Sequence, residues 1–363
     1  MPAFLSKVVL WLSAFTIVFT IVLSPGHATP LEKRTGVVPS FSGGVNSIGA
    51  GTYPRTNFLK DGSIFGVYTA FSNGESVLTA TRSTNGGVTW TNTGVIASGP
   101  TATTDIDNPY PLQLPSGRIL VAFRNHDKAN GAYTYFRITV CYSDNNGVSW
   151  SFLSEVASDP GPVNGNWEPF LRLAQDGTLQ IYYSRETSAD DQDSLLRTST
   201  NGGLNWSSAT VISGGELSNA RDGMLGVATI SGSNLIGVFE TGQGGVFTIN
   251  SITSSDDGKT WGNRRRVYTA TGSNNNAGAP QIINVGGTLV VSFMTDEDTQ
   301  LHSWINGASA KLVTSGDGGS TWGNKLQFGD VQSNWPGLMT LDGTSFLAMA
   351  DHGGSFARKI VLS

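Results

Sequence analysis

The stretch Ser254-Ser255-Asp256-Asp257-Gly258-Lys259-Thr260-Trp261 decides the fold, because the chain contains it five times. Ser opens every copy, Gly holds the fifth place and Trp closes it. The copies are Ser83 to Trp90, Ser143 to Trp150, Ser199 to Trp206, Ser254 to Trp261 and Ser315 to Trp322. They follow one another at nearly even spacing. A period above about 40 residues with strand-like content predicts the blades of a propeller or a similar array.

Each copy has the residues of a tight turn. The third place is always Asn or Asp, whose side chain can bond backbone N–H groups two residues on, and the Gly allows φ > 0. We expect the Trp to anchor the start of the next strand. The pattern resembles the Asp box of sialidases and related propellers, where it joins the third and fourth strands of a blade. That resemblance implies a structural role and not an active site.

The segment that precedes Thr35 is expected to be removed. Lys7 precedes an apolar run from Val8 to Leu23, and a small-residue pattern ends at Ala28. This order is typical of a secretory signal peptide, residues 1–28, and the apolar run is shorter than the roughly 20 residues that span a bilayer. Residues 29–34 form a short propeptide that ends at a dibasic site. A single domain, 35–363, would then be secreted to the extracellular space.

Composition excludes several classes of partner. Removing one acidic and three basic residues with the leader changes the totals from 27 and 22 to 26 and 19, a net charge of −7. This balance argues against nucleic acid and anionic membrane surfaces. Cys141 is the only cysteine, so the chain has no internal disulfide. No zinc-ligand spacing is present, and we expect a monomer with no metal and no cofactor.

Chain length predicts the number of blades. The mature chain, 35–363, is between five and six times as long as the mean spacing of the boxes. We therefore predict an all-β, six-bladed propeller whose last blade lacks a box. Its missing strand is expected from the other end of the chain, with Val37 to Ile48 pairing with Ala357 to Leu362. Such closure removes an exposed sheet edge.

A second repeat precedes the second strand of each blade. Its triplets recur with nearly the same spacing as the boxes, and are Tyr53-Pro54-Arg55, Asn108-Pro109-Tyr110, Trp167-Glu168-Pro169, Arg221-Asp222-Gly223, Ala279-Pro280-Gln281 and Asn334-Trp335-Pro336. The first strand of a propeller blade lines the central channel, so residues at its entry converge on one pocket. The alternative is that the triplets are ordinary turns, since Pro favours strand starts.

Two of the eight glutamates stand at apolar strand ends. Glu168 precedes Pro169 and an apolar run, and Glu240 ends the strand from Leu235. Alignment of the second strands puts Glu240 level with Thr69, Arg124, Ser184, Met294 and Ala350. A carboxylate in such a place is costly unless it is paired, and two facing carboxylates are what glycoside cleavage requires.

Two other interpretations of these carboxylates stay open. Each of Glu168 and Glu240 could instead pair with an arginine such as Arg185 or Arg221. Glu186 is a third candidate for the catalytic pair, and the neighbouring Arg185 favours a structural or positioning role for it.

The other candidate site residues suit a sugar. Aromatic faces can pack on sugar rings and polar side chains can bond hydroxyl groups; for each aromatic taken singly, core packing is the alternative. The predicted substrate-binding residues are Arg55, Asn108, Tyr110, Trp167, Arg185, Arg221, Gln281 and Trp335.

The boxes, Asn166-Trp167-Glu168-Pro169 and Phe239-Glu240-Thr241 together resemble the secreted exo-arabinanases of glycoside hydrolase family 93, over Thr35 to Ser363. The resemblance implies release of arabinobiose from the non-reducing end of linear α-1,5-arabinan with retention of configuration. It matches Glu168 to the acid/base and Glu240 to the nucleophile. For a retaining pair we expect carboxyl groups about 5–5.5 Å apart and a protonated Glu168 beside an ionised Glu240.

Exo action and two alternative functions are also expected to leave signs in the structure. Exo action needs a loop that blocks one side of the cleft, and 190–194 and 272–278 are long enough. An exo-sialidase on the same fold is the nearest alternative, although Tyr53-Pro54-Arg55 differs from the Arg-Ile-Pro segment that usually opens the first blade of sialidases. A propeller that binds glycans without cleaving them is the third possibility.

Overall fold

The computed structural model describes residues 37–299 and 301–363, so the expected signal peptide and propeptide lie outside the described residues. These ranges contain 24 β-strands, and no helix in them is long and apolar enough to cross a membrane. The strands form four four-stranded sheets and one eight-stranded sheet. The all-β propeller expected from the repeats is therefore confirmed.

The first three blades follow one another along the chain, each with its innermost strand first. Blade one consists of β2 Thr52–Phe58, β3 Ile64–Ser72, β4 Glu75–Ser83 and β5 Thr91–Pro100. Blade two consists of β6 Thr104–Gln113, β7 Ile119–Ala129, β8 Ala132–Ser143 and β9 Ser151–Pro160. Blade three consists of β10 Asn166–Leu173, β11 Leu179–Ser188, β12 Asp191–Ser199 and β13 Thr210–Ser213.

The next three blades repeat the arrangement. Blade four consists of β14 Arg221–Ser231, β15 Asn234–Gln243, β16 Val246–Ser254 and β17 Gly262–Tyr268. Blade five consists of β18 Ala277–Val285, β19 Thr288–Thr295, β20 Ser309–Ser315 and β21 Gly323–Gly329. Blade six consists of β22 Asn334–Thr340, β23 Ser345–Asp351, β24 Ser355–Leu362 and, from the other end of the chain, β1 Pro39–Gly49.

Four of the six expected blades are separate sheets, and the other two share one. Blades three and four form the eight-stranded sheet because a single parallel pair, Gln192 with Arg221, joins β12 to β14. Within that sheet the two antiparallel four-stranded halves are otherwise distinct. The described residues thus contain six four-stranded units in five sheets.

The ring closes as the sequence predicts. β1 pairs antiparallel with β24, with Pro39 opposite Leu362 and Ser47 opposite Phe356. The N–H of Val38 also donates to the carbonyl of Ser363 at 2.8 Å. The outer edge of blade six is therefore covered by the start of the same domain.

The core lies between blades and not inside one blade. Six clusters of buried apolar side chains each combine two neighbouring blades around the ring of described residues. The cluster that closes the ring packs Leu347 and Met349 of blade six against Ile64 and Tyr68 of blade one. Full burial of one such side chain stabilises the fold by about 1.5–3 kcal/mol, so blade-to-blade packing holds the strand ends in place.

The five repeated turns join the third and fourth strands of blades one to five, as expected. In each, the opening Ser Oγ accepts the N–H of the fifth-place Gly at 2.9 Å, and that Gly has φ between 86° and 90°. The Asn or Asp side chain bonds the N–H four residues on, as Asp256 does to Thr260 at 2.8 Å. The predicted bond from the Asn or Asp side chain to the N–H two residues on is wrong. The opening Ser hydroxyl instead donates to the Asn or Asp side chain.

Candidate functional site

The innermost strand of every blade carries the same bulge. In each one a non-glycine residue adopts a left-handed backbone and the pairing with the second strand shifts register beside it. Such a residue costs of the order of 1–3 kcal/mol and is held there only by its surroundings. The six residues, with φ between 46° and 53°, are Tyr53, Asn108, Glu168, Met224, Ala279 and Trp335.

Five of the six predicted triplets contain this left-handed residue. The triplet of blade four, Arg221 to Gly223, does not, because its bulge residue is Met224. There the register shift lies between Gly223 and Gly226. The fourth triplet lacks the proline that all the others carry. Its prediction therefore depended on polar side chains alone, which placed it directly before the bulge.

The predicted alignment of the second strands is confirmed for five blades. The residue before each left-handed position is opposite Thr69, Arg124, Ser184, Glu240 and Met294 in blades one to five. In blade six Asn334 is opposite Asp351, so Ala350 was one residue off. Glu240 therefore stands at the same level as the bulges, and Asp351 is a carboxylate at this level that the sequence reasoning missed.

Glu168 is the bulge residue of blade three and faces blade four. Its neighbour Ser184 is fully buried, and the Ser184 hydroxyl accepts the N–H of Met224 at 3.2 Å. Because that hydroxyl accepts from Met224, its own proton can donate to the Glu168 carboxylate. Glu168 Oε2 is buried and has no hydrogen-bond partner within the described residues.

Glu240 ends the second strand of blade four and is held by blade five. The N–H of Ala279 donates to Glu240 Oε2 at 2.6 Å. Ala279 is the left-handed residue of its own inner strand, so the strained backbone presents its N–H to a carboxylate from the neighbouring blade. The two glutamates thus come from adjacent blades at one level of the ring.

Burial raises the pKa of both carboxyls. The pKa of Glu168 is about 7, because burial outweighs the opposing effects of Arg124, the Ser184 hydroxyl, the Met224 amide and Arg221. The pKa of Glu240 is about 8, because burial and the nearby charge of Glu168 both favour its neutral form. The order is opposite to the expected one, so these pKa values alone do not single out Glu168 as the proton carrier.

Neither glutamate forms an ion pair with an arginine in the part of the chain that the structure describes. Arg221 pairs with Glu186 at 2.6 Å and also bonds Gln192 at 2.8 Å. Glu186 Oε2 in turn accepts the N–H of Gly165 at 2.8 Å. These contacts support a structural or positioning role for Glu186, with Arg221 as its partner.

Two more arginines lie at this level, and only Arg124 has carboxylate partners within the described residues. Arg55 is 2 % exposed, donates to the Trp335 carbonyl at 3.1 Å and lies 3.9 Å above the Tyr53 ring. Arg124 bonds Asp105 at 3.1 Å and Asp107 at 3.3 Å. Arg55 Nε and Nη2 and Arg124 Nε are buried without a partner within the described residues, so both guanidinium groups keep unused donors at this level.

The aromatic candidates divide between the site and the core. Trp167 precedes Glu168, with its ring 4.8 Å from that of His126 and 5.3 Å from the Arg124 guanidinium. Trp335 is the bulge residue of blade six and lies 6.2 Å from Tyr53. Tyr110 packs against Phe170 at 4.4 Å between blades, which is the core position that was its alternative.

The polar candidates differ in their position. Asn108 is the bulge residue of blade two, is 5 % exposed and has an unpartnered Oδ1 within the described residues. Gln281 is 7 % exposed and lies beside Gly226 of the preceding blade, so it packs between inner strands. Arg185 follows Ser184 on β11 and therefore points to the other face of that strand.

The long connection at this end of the ring is not one of the two expected loops. Residues 190–194 belong to the tight turn and strand that start β12, whereas 272–276 lie in the connection between β17 and β18 and 277–278 already belong to β18. The connection between β19 and β20, residues 296–308, is longer and carries Trp304 beside Glu240. Its length within blade five, compared with the same turn in other blades, was the signal that could have found it.

No group of three or more metal-ligating side chains is present within 37–299 and 301–363. The acidic residues nearest the site are instead held by hydroxyls. Asp107 accepts the Thr69 hydroxyl at 2.6 Å, and Asp351 accepts the Thr52 hydroxyl. Burial also raises the pKa of Asp351, so three carboxyls at this level, Glu168, Glu240 and Asp351, have raised pKa values.

Residues 69–225 match the family model of the BNR repeat-like domain. The sequence matches no curated protein. The chain is similar in structure to the Penicillium chrysogenum α-L-arabinanase complexed with arabinobiose, at 18% identity and a TM-score of 0.70 over 89% of this chain and 99% of that one. It has the sialidase-like propeller fold.

Two further solved structures agree on this fold. The family 93 α-L-arabinofuranosidase of Fusarium graminearum with arabinobiose has 20% identity and a TM-score of 0.67 over 90% of this chain and 97% of that one. The NanB sialidase of Streptococcus pneumoniae has 12% identity and a TM-score of 0.59 over 89% of this chain and 70% of that one. The expected resemblance to family 93 is thus confirmed in the fold of the chain.

Proposed function

We propose that this protein is a secreted, retaining exo-glycosidase that releases arabinobiose from the non-reducing end of α-1,5-linked arabinan. The observation that carries the proposal is the pair formed by Glu168 and Glu240. The two side chains come from adjacent blades, lack an arginine partner within the described residues, and have pKa values raised to about 7 and about 8. A retaining glycosidase needs one protonated and one ionised carboxyl. The Ala279 N–H on Glu240 Oε2 favours the charge on Glu240, and the buried, unpartnered Oε2 of Glu168 favours the proton on Glu168.

The proposed reaction has two steps. Glu168 gives its proton to the leaving glycosidic oxygen while a Glu240 oxygen bonds the anomeric carbon and the C–O bond breaks. A water molecule then gives a proton to Glu168 and attacks the same carbon, which frees Glu240 and the sugar. The Ala279 N–H, 2.6 Å from Glu240 Oε2, orients the carboxylate through both steps. Two displacements restore the original configuration.

A neutral sugar fits the charge arrangement better than sialic acid does. A sialidase requires free arginines to hold the carboxylate of its substrate. Here the charged groups of Arg124 and Arg221 are paired with Asp105, Asp107 and Glu186. Of the three arginines at this level, only Arg55 lacks a carboxylate partner within the described residues, and one arginine is not a cluster. Arabinan carries no charge and needs no arginine cluster.

Two similar structures support the choice of sugar, since both contain arabinobiose. The sequence supports secretion through the apolar segment and the small-residue pattern that ends at Ala28. A sugar that meets Trp167 and Trp335 would find aromatic faces on two sides of the ring.

One incubation tests the proposal. The purified protein is given debranched arabinan and, separately, a sialyl-lactose substrate, and the products are separated by chromatography. We expect arabinobiose from the first and nothing from the second. Sialic acid would favour the sialidase, and no product from either substrate, together with measurable arabinan binding, would favour a binding propeller. A proton NMR spectrum of the first product checks the retained configuration.

A further inference from the structure

One connection on the site side of the ring differs from its counterparts. The turn between the second and third strands has two residues in blades one to four and three in blade six. In blade five the same connection runs from 296 to 308. Because the second strands end at the level of Glu240, this connection adds its extra residues next to the site on one side only.

Trp304 brings this connection into contact with the site. A Cβ on Gly278 would stand 2.0 Å from Trp304 Cη2 and 2.5 Å from Glu240 Oε2. The indole edge and the carboxylate are therefore neighbours across the bare backbone of Gly278. Trp304 also packs against a cluster of buried side chains that includes Tyr53 and Ala279.

The indole also reaches the neighbouring blade. Its ring lies 5.1 Å from the ring of Phe247, which begins the third strand of blade four. Trp304 thus spans from blade five to blade four over the carboxylate that blade four supplies. An aromatic pair at this distance adds to the burial of the two rings.

The described part of the connection is held in place by its own bonds. The N–H of Gly307 donates to the Ser303 carbonyl at 2.8 Å, and the His302 ring bonds Asn275 Oδ1 at 2.9 Å. Asp296 accepts the N–H of Asn276 at 2.6 Å. These contacts on both flanks fix Trp304 as a wall of the site.

We propose that Trp304 determines specificity by closing the cleft beside Glu240, so that a polysaccharide enters by one end only. The proposal rests on the proposed glycosidase function and adds the residue that sets where the chain is cut. An open propeller groove would accept a chain running across it. With the indole fixed across blades four and five, sugars beyond a short terminal segment have no path on that side.

The test compares Trp304→Ala and Trp304→Phe with the parent protein on linear arabinan. Size-resolved chromatography gives the product lengths at early times, and the pH dependence of kcat/KM is measured in parallel. Phe152→Ala is the matched control, since Phe152 is an aromatic residue on the outermost strand of blade two and is 62 % exposed. Thermal unfolding of each variant shows whether it is folded.

We expect Trp304→Ala to raise the ratio of longer oligosaccharides to the parent product roughly tenfold. Loss of the apolar ring also hydrates Glu240, lowers its pKa and moves the acidic limb of the pH profile to lower pH. Trp304→Phe should keep most of the parent's product lengths and pH profile, and Phe152→Ala should change neither. A folded Trp304→Ala protein with the parent's product lengths would overturn the proposal.

A protein without activity on arabinan would overturn the proposed function. The position of Trp304 over Glu240 is then tested by a separate measurement. In that case the Glu240 carboxyl is titrated by NMR on protein labelled with ¹³C-glutamate, with Glu240→Gln assigning the signal. A lower Glu240 pKa in Trp304→Ala supports a wall that excludes water from the carboxylate. An unchanged titration rejects it.

Discussion

The backbone N–H of Ala279 donates to Glu240 Oε2 at 2.6 Å, so a carboxylate of blade four is held by the strained inner strand of blade five. The same bulge in blade three carries Glu168 itself. One backbone feature therefore supplies an acid in one blade and a donor to an acid in another. The proposed chemistry depends on neighbouring blades keeping their relative position.

Glu168→Gln and Glu240→Gln should each lower kcat on linear arabinan by roughly 10²–10⁴-fold, because each removes a proton donor or a nucleophile and keeps its shape. Initial rates by reducing-sugar release measure the loss. Glu155→Gln, on the outermost strand of blade two, is the matched control, and it should retain activity close to that of the parent. Near-parental turnover by either of the first two variants would contradict the assignment.

Azide should assign the two roles. With an aryl arabinobioside whose leaving group needs no acid, Glu168→Ala is expected to form a glycosyl azide of retained configuration, because the nucleophile is still present. Glu240→Ala should give the inverted azide, because azide enters from the vacated side. NMR of the two products reads the configuration, and the reverse result would exchange the acid/base and the nucleophile.

The raised pKa values predict how stability depends on pH. Both carboxyls bind protons more tightly in the folded protein than the ordinary value of 4.5 implies. The folded state therefore loses stability as pH rises from about 4.5 towards 7 and 8. Glu240→Gln removes the Glu240 part of this effect and should raise Tm more in alkaline than in acidic buffer. Differential scanning calorimetry measures it, and Glu155→Gln, on the outer strand β9, should follow the parent in both buffers.

The repeated turns offer a matched pair for stability. Trp261 Nε1 donates to the Gly258 carbonyl at 3.0 Å, whereas Trp322 Nε1 is buried without a partner within the described residues. Trp261→Phe loses a hydrogen bond that Trp322→Phe does not lose. We expect the first to cost about 1 kcal/mol more free energy of unfolding than the second, measured in urea. Equal losses would mean that ring packing alone holds these turns.

Removal of β1 should open the ring. A chain that starts after Gly49 leaves the edge of β24 unpaired, and exposed sheet edges promote aggregation. We expect this truncation to lose cooperative unfolding and to elute as aggregates in size-exclusion chromatography. A chain that starts at Thr35 is the control and should be folded, and a monomeric, cooperatively folded truncation would show that β1 is dispensable.

The sequence predicted the blades because their signal is local. Ser254, Gly258 and Trp261 make one turn within a short segment, and five copies set the period without knowledge of any distant contact. The pairing of the N-terminal strand with β24 followed from the need to cover an edge. The fusion of blades three and four was not predictable, since it depends on one parallel pair between Gln192 and Arg221.

The site was harder to predict, because it depends on register between strands. Apolar runs placed Glu240 correctly, since the run and the strand end together. The choice of triplets by polar side chains misplaced the blade-four bulge, which follows from where the ladder resumes at Gly226. Trp304 was missed because its contact with Gly278 depends on how the connection between β19 and β20 folds back. Tyr110 shows that residue type alone cannot separate a sugar platform from core packing.

The six left-handed bulges leave this ring open to new uses. Each places one side chain at a common level, and the side chains of Tyr53, Met224 and Ala279 pack together in a buried cluster. Across the blades this one position already carries an acid at Glu168, an amide at Asn108 and an indole at Trp335 on the same backbone conformation. Such a ring can evolve or be engineered towards other glycans by changes at a few places around one mouth.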